Sequence, residues 1–162
     1  AAPPPDDIPD FKVASRVFDD ASFRQFDEWD VRIIPRNRLG TREGKASQQQ
    51  VWLRHRDRLP DDHVLHICAL AYMSDLTLLG SAQVNHLEVR QHLMVASLDH
   101  AMWFMRAFRA DEWLLYDQSS PSASGGRSLT QGKIFNRNGD LVAAVMQEGL
   151  TRFVRDFTPG RG

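Results

Sequence analysis

The chain has 162 residues, 42% hydrophobic and 25% charged, the size and make-up of one self-sufficient globular domain. Its single cysteine, Cys68, excludes a disulfide scaffold and any Cys-based metal site. With 20 Lys and Arg against 21 Asp and Glu, the net charge is −1 and no overall positive field favours a nucleic-acid backbone.

The chain opens Ala1-Ala2-Pro3-Pro4-Pro5-Asp6-Asp7-Ile8-Pro9-Asp10, four prolines in nine residues and no Met. That composition favours extended chain over a packed element, so residues 1–20 read as a linker ahead of a folded domain over 21–158. A linker at the first residue points to a piece cut from a longer polypeptide. There is no charged-then-apolar leader, and no apolar stretch is expected to approach the ~20 residues of a membrane span. The expectation is a soluble, cytoplasmic protein.

Residues 23–34 alternate, with Trp29, Val31 and Ile33 on one face and Glu28, Asp30 and Arg32 on the other, as in a half-buried strand. An Arg- and Gly-rich loop follows over 35–45. A second alternating strand covers 49–56 around Trp52 and Leu53. Leu59-Pro60-Asp61-Asp62 then supplies a helix start with an acidic cap. The helix over 63–79 carries one charge in seventeen residues. A helix apolar nearly all round must be enclosed by protein.

Residues 94–108, 112–119, 129–135 and 141–154 are strand-like, and Asn138-Gly139 marks a hairpin turn between the last two. Residues 119–127, with Pro121, Gly125 and Gly126, read as a turn or sheet bulge rather than a phosphate loop, since no P-loop lysine is present. Two strands, one buried helix and four strands in a meander describe an α+β hotdog fold: a curved antiparallel sheet around a long central helix.

Three polar residues sit where this pattern asks for apolar ones. Val64, Cys68, Ala71 and Asp75 form one helical stripe, which places Asp75 on the face turned to the sheet; the plain alternative is a carboxylate near the helix end that has reached solvent. Gln147 shares a strand face with Leu141, Ala143 and Val145, and could equally be a buried amide satisfied by backbone. Ser97 alternates onto the side of Val95 and Trp103, where an ordinary strand serine would also fit. Ser97, Asp99 and His100 resemble a nucleophile set, but by strand alternation His100 is expected to project to the opposite face from the other two. His63 and His66 are spaced to share a metal without a third ligand nearby, and no metal or organic cofactor is implied.

The chain resembles the C-terminal half of the type II acyl-CoA thioesterases, TesB-like double-hotdog enzymes. The resemblance covers roughly residues 50–152. It rests on Leu70-Ala71-Tyr72-Met73-Ser74-Asp75, on Ser97-Leu98-Asp99-His100-Ala101-Met102-Trp103-Phe104, on Glu112-Trp113-Leu114-Leu115-Tyr116, on Ser122-Ala123-Ser124-Gly125-Gly126-Arg127, and on Leu141-Val142-Ala143 with Gln147-Glu148-Gly149. Met105 and Ala107 depart from the His and Pro common in the family, and the connection from 80 to 92 is shortened. The resemblance implies that Asp75, Ser97 and Gln147 hold an attacking water for hydrolysis of fatty acyl-CoA. It implies a partner too: an N-terminal hotdog unit, or a second copy of this chain along the sheet edge. A non-catalytic acyl-binding or structural module is the alternative. Enoyl-CoA hydration fits poorly, because the run from Asp75 to Gly80 lacks that chemistry's Asn and His.

Overall fold

The computed structural model describes residues 2–11, 27–39, 47–84, 88 and 92–154. Residues 23–26 of the strand expected over 23–34, most of the expected loop over 35–45 and much of the connection over 80–92 lie outside these residues. The strands are β1 (Trp29–Ile33), β2 (Ser47–His55), β3 (Leu93–Ser97), β4 (Ala101–Phe104), β5 (Leu114–Ser124), β6 (Arg127–Phe135) and β7 (Leu141–Phe153). All pair antiparallel in one sheet, in the order β1-β2-β5-β6-β7-β3, with β4 also on β7. Helix α1 (His63–Leu78) runs through the concavity, followed by the short α2 (Gly80–Gln83). This is the hotdog arrangement.

Local chemistry accounts for the elements. Asp62 caps α1, its carboxylate accepting the Val64 N–H at 2.9 Å. Gly125 and Gly126, both at positive φ, close the two-residue turn between β5 and β6, and Gly139 (φ 86°) takes the turn before β7. Upstream of the Gly-Gly turn, the β5–β6 register slips between Ser119 and Ser122, so the stretch read as a turn or bulge contains both.

The main core packs Leu70, Met73 and Leu78 of α1 against Val51, Leu53, Leu114, Tyr116, Ile134, Ala143 and Val145 of the sheet. Trp29 and Val31 join it, with Ile33 packed against it, as their alternation predicts. Gly132 leaves the space that the Tyr116 ring fills, since a Cβ there would overlap the ring.

Three expectations need correction. The stripe of α1 that carries Val64, Cys68 and Asp75 does not face the sheet: all three are exposed, with Ala71 partly so, and Tyr72 beside them is 55% exposed. The buried face is His66, Leu70, Met73, Ser74, Thr77 and Leu78. Because α1 is apolar on both sides, its hydrophobic pattern carries no orientation, and the sheet encloses only the inner face. The second correction concerns length. The helical run His63–Gln83 has 21 residues at mean hydropathy 1.4, enough by length and composition to cross a membrane. Its inner face is packed by the sheet, the pattern of a core helix. The third concerns the proline-rich start. Residues 3–8 are docked on the outer face of the sheet rather than extended throughout: Pro5–Asp7 form a 3-10 turn, with the Asp7 and Ile8 N–H groups donating to the carbonyls of Pro4 and Pro5. Ile8 packs with Ile34, Trp52 and Trp113. Arg32 donates to the carbonyls of Pro5 and Ile8 at 2.8 and 3.0 Å, and the Trp52 indole N–H donates to that of Pro3 at 2.8 Å. The carbonyls of Pro3, Pro5 and Ile8 thus accept from side chains of the sheet, that of Pro5 in addition to its bond from the Ile8 N–H.

Candidate active site

The stretch expected as one strand over 94–108 is two, and the interruption builds the site. From Ser97 to Ala101 the edge advances four residues, while its partner β7 advances three, from Gly149 back to Met146. That one extra residue is a bulge, and it inverts the facing of every side chain beyond it. Side-chain chemistry holds the bulge: Asp99 accepts the Glu148 N–H at 2.7 Å, and Leu98 N–H donates to the Glu148 carbonyl at 2.9 Å. Ser97 and His100 therefore both turn toward α1, whereas Trp103 goes to the other face. The expectations that Ser97 shares Trp103's side and that His100 points away fail for this reason.

Asp75, Ser97 and Gln147 are brought together from three elements. Ser97 donates its hydroxyl proton to Asp75 Oδ1 at 3.0 Å. Gln147 Nε2 donates to the same Oδ1 at 2.6 Å and to Ser97 Oγ at 2.7 Å. Gln147 is fully buried, and its amide bonds to side chains rather than to backbone. Thr130 on β6 ties down the Gln147 carbonyl at 3.0 Å. The Asp75 side chain is 46% exposed. Its Oδ1 takes both donors, and Oδ2 accepts no hydrogen bond from a described residue.

The floor of the site fixes the end of α1. Gln118 Nε2 donates to Thr77 Oγ1 at 2.6 Å, tying the helix to β5. Gly149 lets the helix end come close, since a Cβ there would collide with the Leu79 side chain. Tyr116 OH lies 3.3 Å from the Ser74 carbonyl. Burial pushes its phenol well above the ordinary range, and the Asp75 charge adds to the effect, so it remains a neutral donor.

His100 is the residue that strand alternation misses. Its Nδ1 is 2.8 Å from Gln147 Oε1 and 3.9 Å from Asp75 Oδ1, and its Nε2 is 2.8 Å from Ser74 Oγ. The available signal was a polar Asp-His pair inside an apolar edge strand. His66, weighed with His63 as a metal pair, turns inward, and its Nδ1 accepts the Ala110 N–H at 3.1 Å while His63 stays exposed.

A family model described as acyl-CoA thioesterase matches residues 20–150. Human acyl-coenzyme A thioesterase 8 is 41% identical over 125 residues, which are 76% of this chain and 39% of that protein. Acyl-CoA thioesterase 2 of Haemophilus influenzae is 38% identical over 109 residues, 66% of this chain and 38% of that protein. Among solved structures, an acyl-CoA thioesterase II from Mycobacterium marinum is 72% identical with a TM-score of 0.86, covering 97% of this chain and 56% of that one. A protein with a hot dog fold from Alicyclobacillus acidocaldarius, 21% identical with a TM-score of 0.69, shares the fold. The chain spans about two fifths of the curated relatives and just over half of the Mycobacterium marinum structure. Four fifths of its length lie inside the matched family region, and the chain belongs to the acyl-CoA thioesterase family.

Proposed function

We propose that this chain carries the catalytic residues of a fatty acyl-CoA thioesterase and that Asp75 activates the attacking water. The observation that carries this reading is the asymmetry of the Asp75 carboxylate. Ser97 and Gln147 saturate Oδ1 and fix the plane of the group, while Oδ2 is left to accept a water proton. The water, held by Oδ2, would attack the thioester carbonyl carbon. Its proton would pass to Asp75 and then to the departing coenzyme A sulfur. Ser97 and Gln147 act by orientation and need not change protonation state.

The second part of the proposal is a covering unit. Tyr72, one turn before the half-exposed Asp75, is 55% exposed, and Val64 at the other end of the same helix is 64% exposed, so exposed apolar side chains lie along α1 up to the reactive group. Another hotdog unit over these side chains would exclude water from the thioester and wall the acyl tail. It would be supplied by chain beyond these residues, for which the relatives' extra length leaves room, or by a second copy.

The test is release of free thiol from fatty acyl-CoA thioesters by the purified protein and by Asp75→Asn. The substitution keeps the shape and removes the base, so turnover should fall by about 10²- to 10⁴-fold while affinity for a non-hydrolysable acyl-CoA ether is retained. Turnover that survives the substitution would place the base elsewhere.

A further inference from the structure

We propose that His100 is a positioning residue, whose Nδ1–H holds Gln147 in the one amide orientation that serves Asp75; the inference rests on the thioesterase reading for its kinetic consequence. The acceptor-only groups fix the direction of the protons between Asp75, Gln147 and His100. A carboxylate only accepts, so the Gln147 atom 2.6 Å from Asp75 Oδ1 must be the amide nitrogen. Its oxygen, Oε1, then faces the His100 ring at 2.8 Å. An amide oxygen is also only an acceptor, so Nδ1 must carry the ring proton.

The far side of the ring rests against α1. Nε2 lies 2.8 Å from Ser74 Oγ, which is also 2.8 Å from the Ala71 carbonyl and 3.2 Å from Met102 Sδ. Nδ1–H donates to Gln147, Gln147 donates to Asp75 and Ser97, and Ser97 donates to Asp75, while Ser74 Oγ braces the ring at Nε2. Each donation runs one way and the chain ends on Oδ1, the oxygen not offered to water. Without the donor at Nδ1, the buried Gln147 Oε1 loses its partner and the amide is held only through Nε2, so the rotamer with Oε1 toward Asp75, which sets two acceptors against each other, gains population. Asp99 and the bulge it pins are what bring the ring to this place.

Three variants and one spectrum test it. Asn offers an amide N–H close to the position of Nδ1, Gln offers one near Nε2, and Ala offers none. His100→Asn should retain at least a third of wild-type kcat. His100→Gln and His100→Ala should lose about 10- to 100-fold in kcat, with KM changed less than threefold and the fold retained by circular dichroism. Nitrogen-15 NMR of the wild type should show the neutral ring protonated at Nδ1, with a signal that moves in Gln147→Ala. Full activity in His100→Ala, loss in His100→Asn as deep as in His100→Ala, or a ring protonated only at Nε2 would each overturn the proposal. If the wild type hydrolyses no acyl-CoA, the thioesterase reading fails, and the spectrum alone then decides whether His100 orients Gln147.

Discussion

Two aspartates, one at each end of α1, receive opposite treatment. Asp111 lies beneath the N-terminal end, its side chain 2% exposed, with both oxygens engaged. Arg109 grips it through Nε and Nη2 at 2.8 Å each, Leu59 N–H donates at 2.8 Å, and the Arg58 guanidinium stands 3.7 Å away. Arg109 also reaches Asp61 beside the helix cap. Asp75 lies near the C-terminal end, half-exposed, with Oδ1 accepting two hydrogen bonds and Oδ2 accepting none from a described residue. A saturated carboxylate can only hold structure. One held rigidly on a single side is oriented and still able to take a proton.

The largest effect expected from this contrast comes from neutralising each aspartate in turn. Asp75→Asn should lower acyl-CoA turnover by about 10²- to 10⁴-fold and leave the melting temperature within about two degrees of wild type, since its open oxygen holds nothing. Asp111→Asn should do the reverse, keeping most of the turnover at 20 °C and losing on the order of 2 kcal/mol of stability, measured by urea unfolding. If Asp111→Asn abolished turnover at temperatures where it remains folded, the two ends of α1 would not be separable.

The pH dependence of stability should follow the same division. The Arg109 guanidinium holds the Asp111 carboxyl well below the usual carboxylate range. A group depressed in the folded state stabilises fully above its unfolded pKa of about 3.9 and loses that contribution as pH falls toward the folded value. Urea midpoints of the wild type should therefore drop below about pH 4, and Asp111→Asn should flatten that acid limb. An unchanged acid limb would move the sensitivity to another carboxylate. A smaller effect is expected at Ser97. Ser97→Ala removes one of two donors to Oδ1 and leaves Gln147 in place, so kcat should fall about tenfold with little change in KM. A loss as large as that of Asp75→Asn would mean that Ser97 takes part in the chemistry itself.

Gln147 was legible from the residues because β7 is regular: period-two counting from Val145 to Gly149 puts its amide on the inner face. Asp75 was singled out as a carboxylate on a stripe expected to face the sheet, but that stripe is exposed, as the plain alternative allowed. Val64, Cys68 and Tyr72 are as apolar as the inner face, so no moment distinguishes the two sides of α1. Ser97 was put forward by alternation, on the side of Val95 and Trp103, and again by the Asp-His motif that follows it; the bulge breaks its parity with Trp103. His100 was lost at the same place, because one bulged residue at 98–100 reverses parity and leaves no mark in hydrophobicity. The docked N-terminal segment was hidden for a related reason. Its anchors are backbone carbonyls gripped by Arg32 and Trp52 from β1 and β2, and composition does not register such long-range contacts.

The central claim is that Asp75 acts on water through its open oxygen and forms no bond to the acyl group. A single turnover in ¹⁸O-labelled water, with enzyme in excess over a fatty acyl-CoA, tests it most directly. The released acid should carry one ¹⁸O, and the peptide containing Asp75 should carry none. Unlabelled acid together with ¹⁸O in Asp75 would show a mixed anhydride on the aspartate, and the account given for its carboxylate would be wrong.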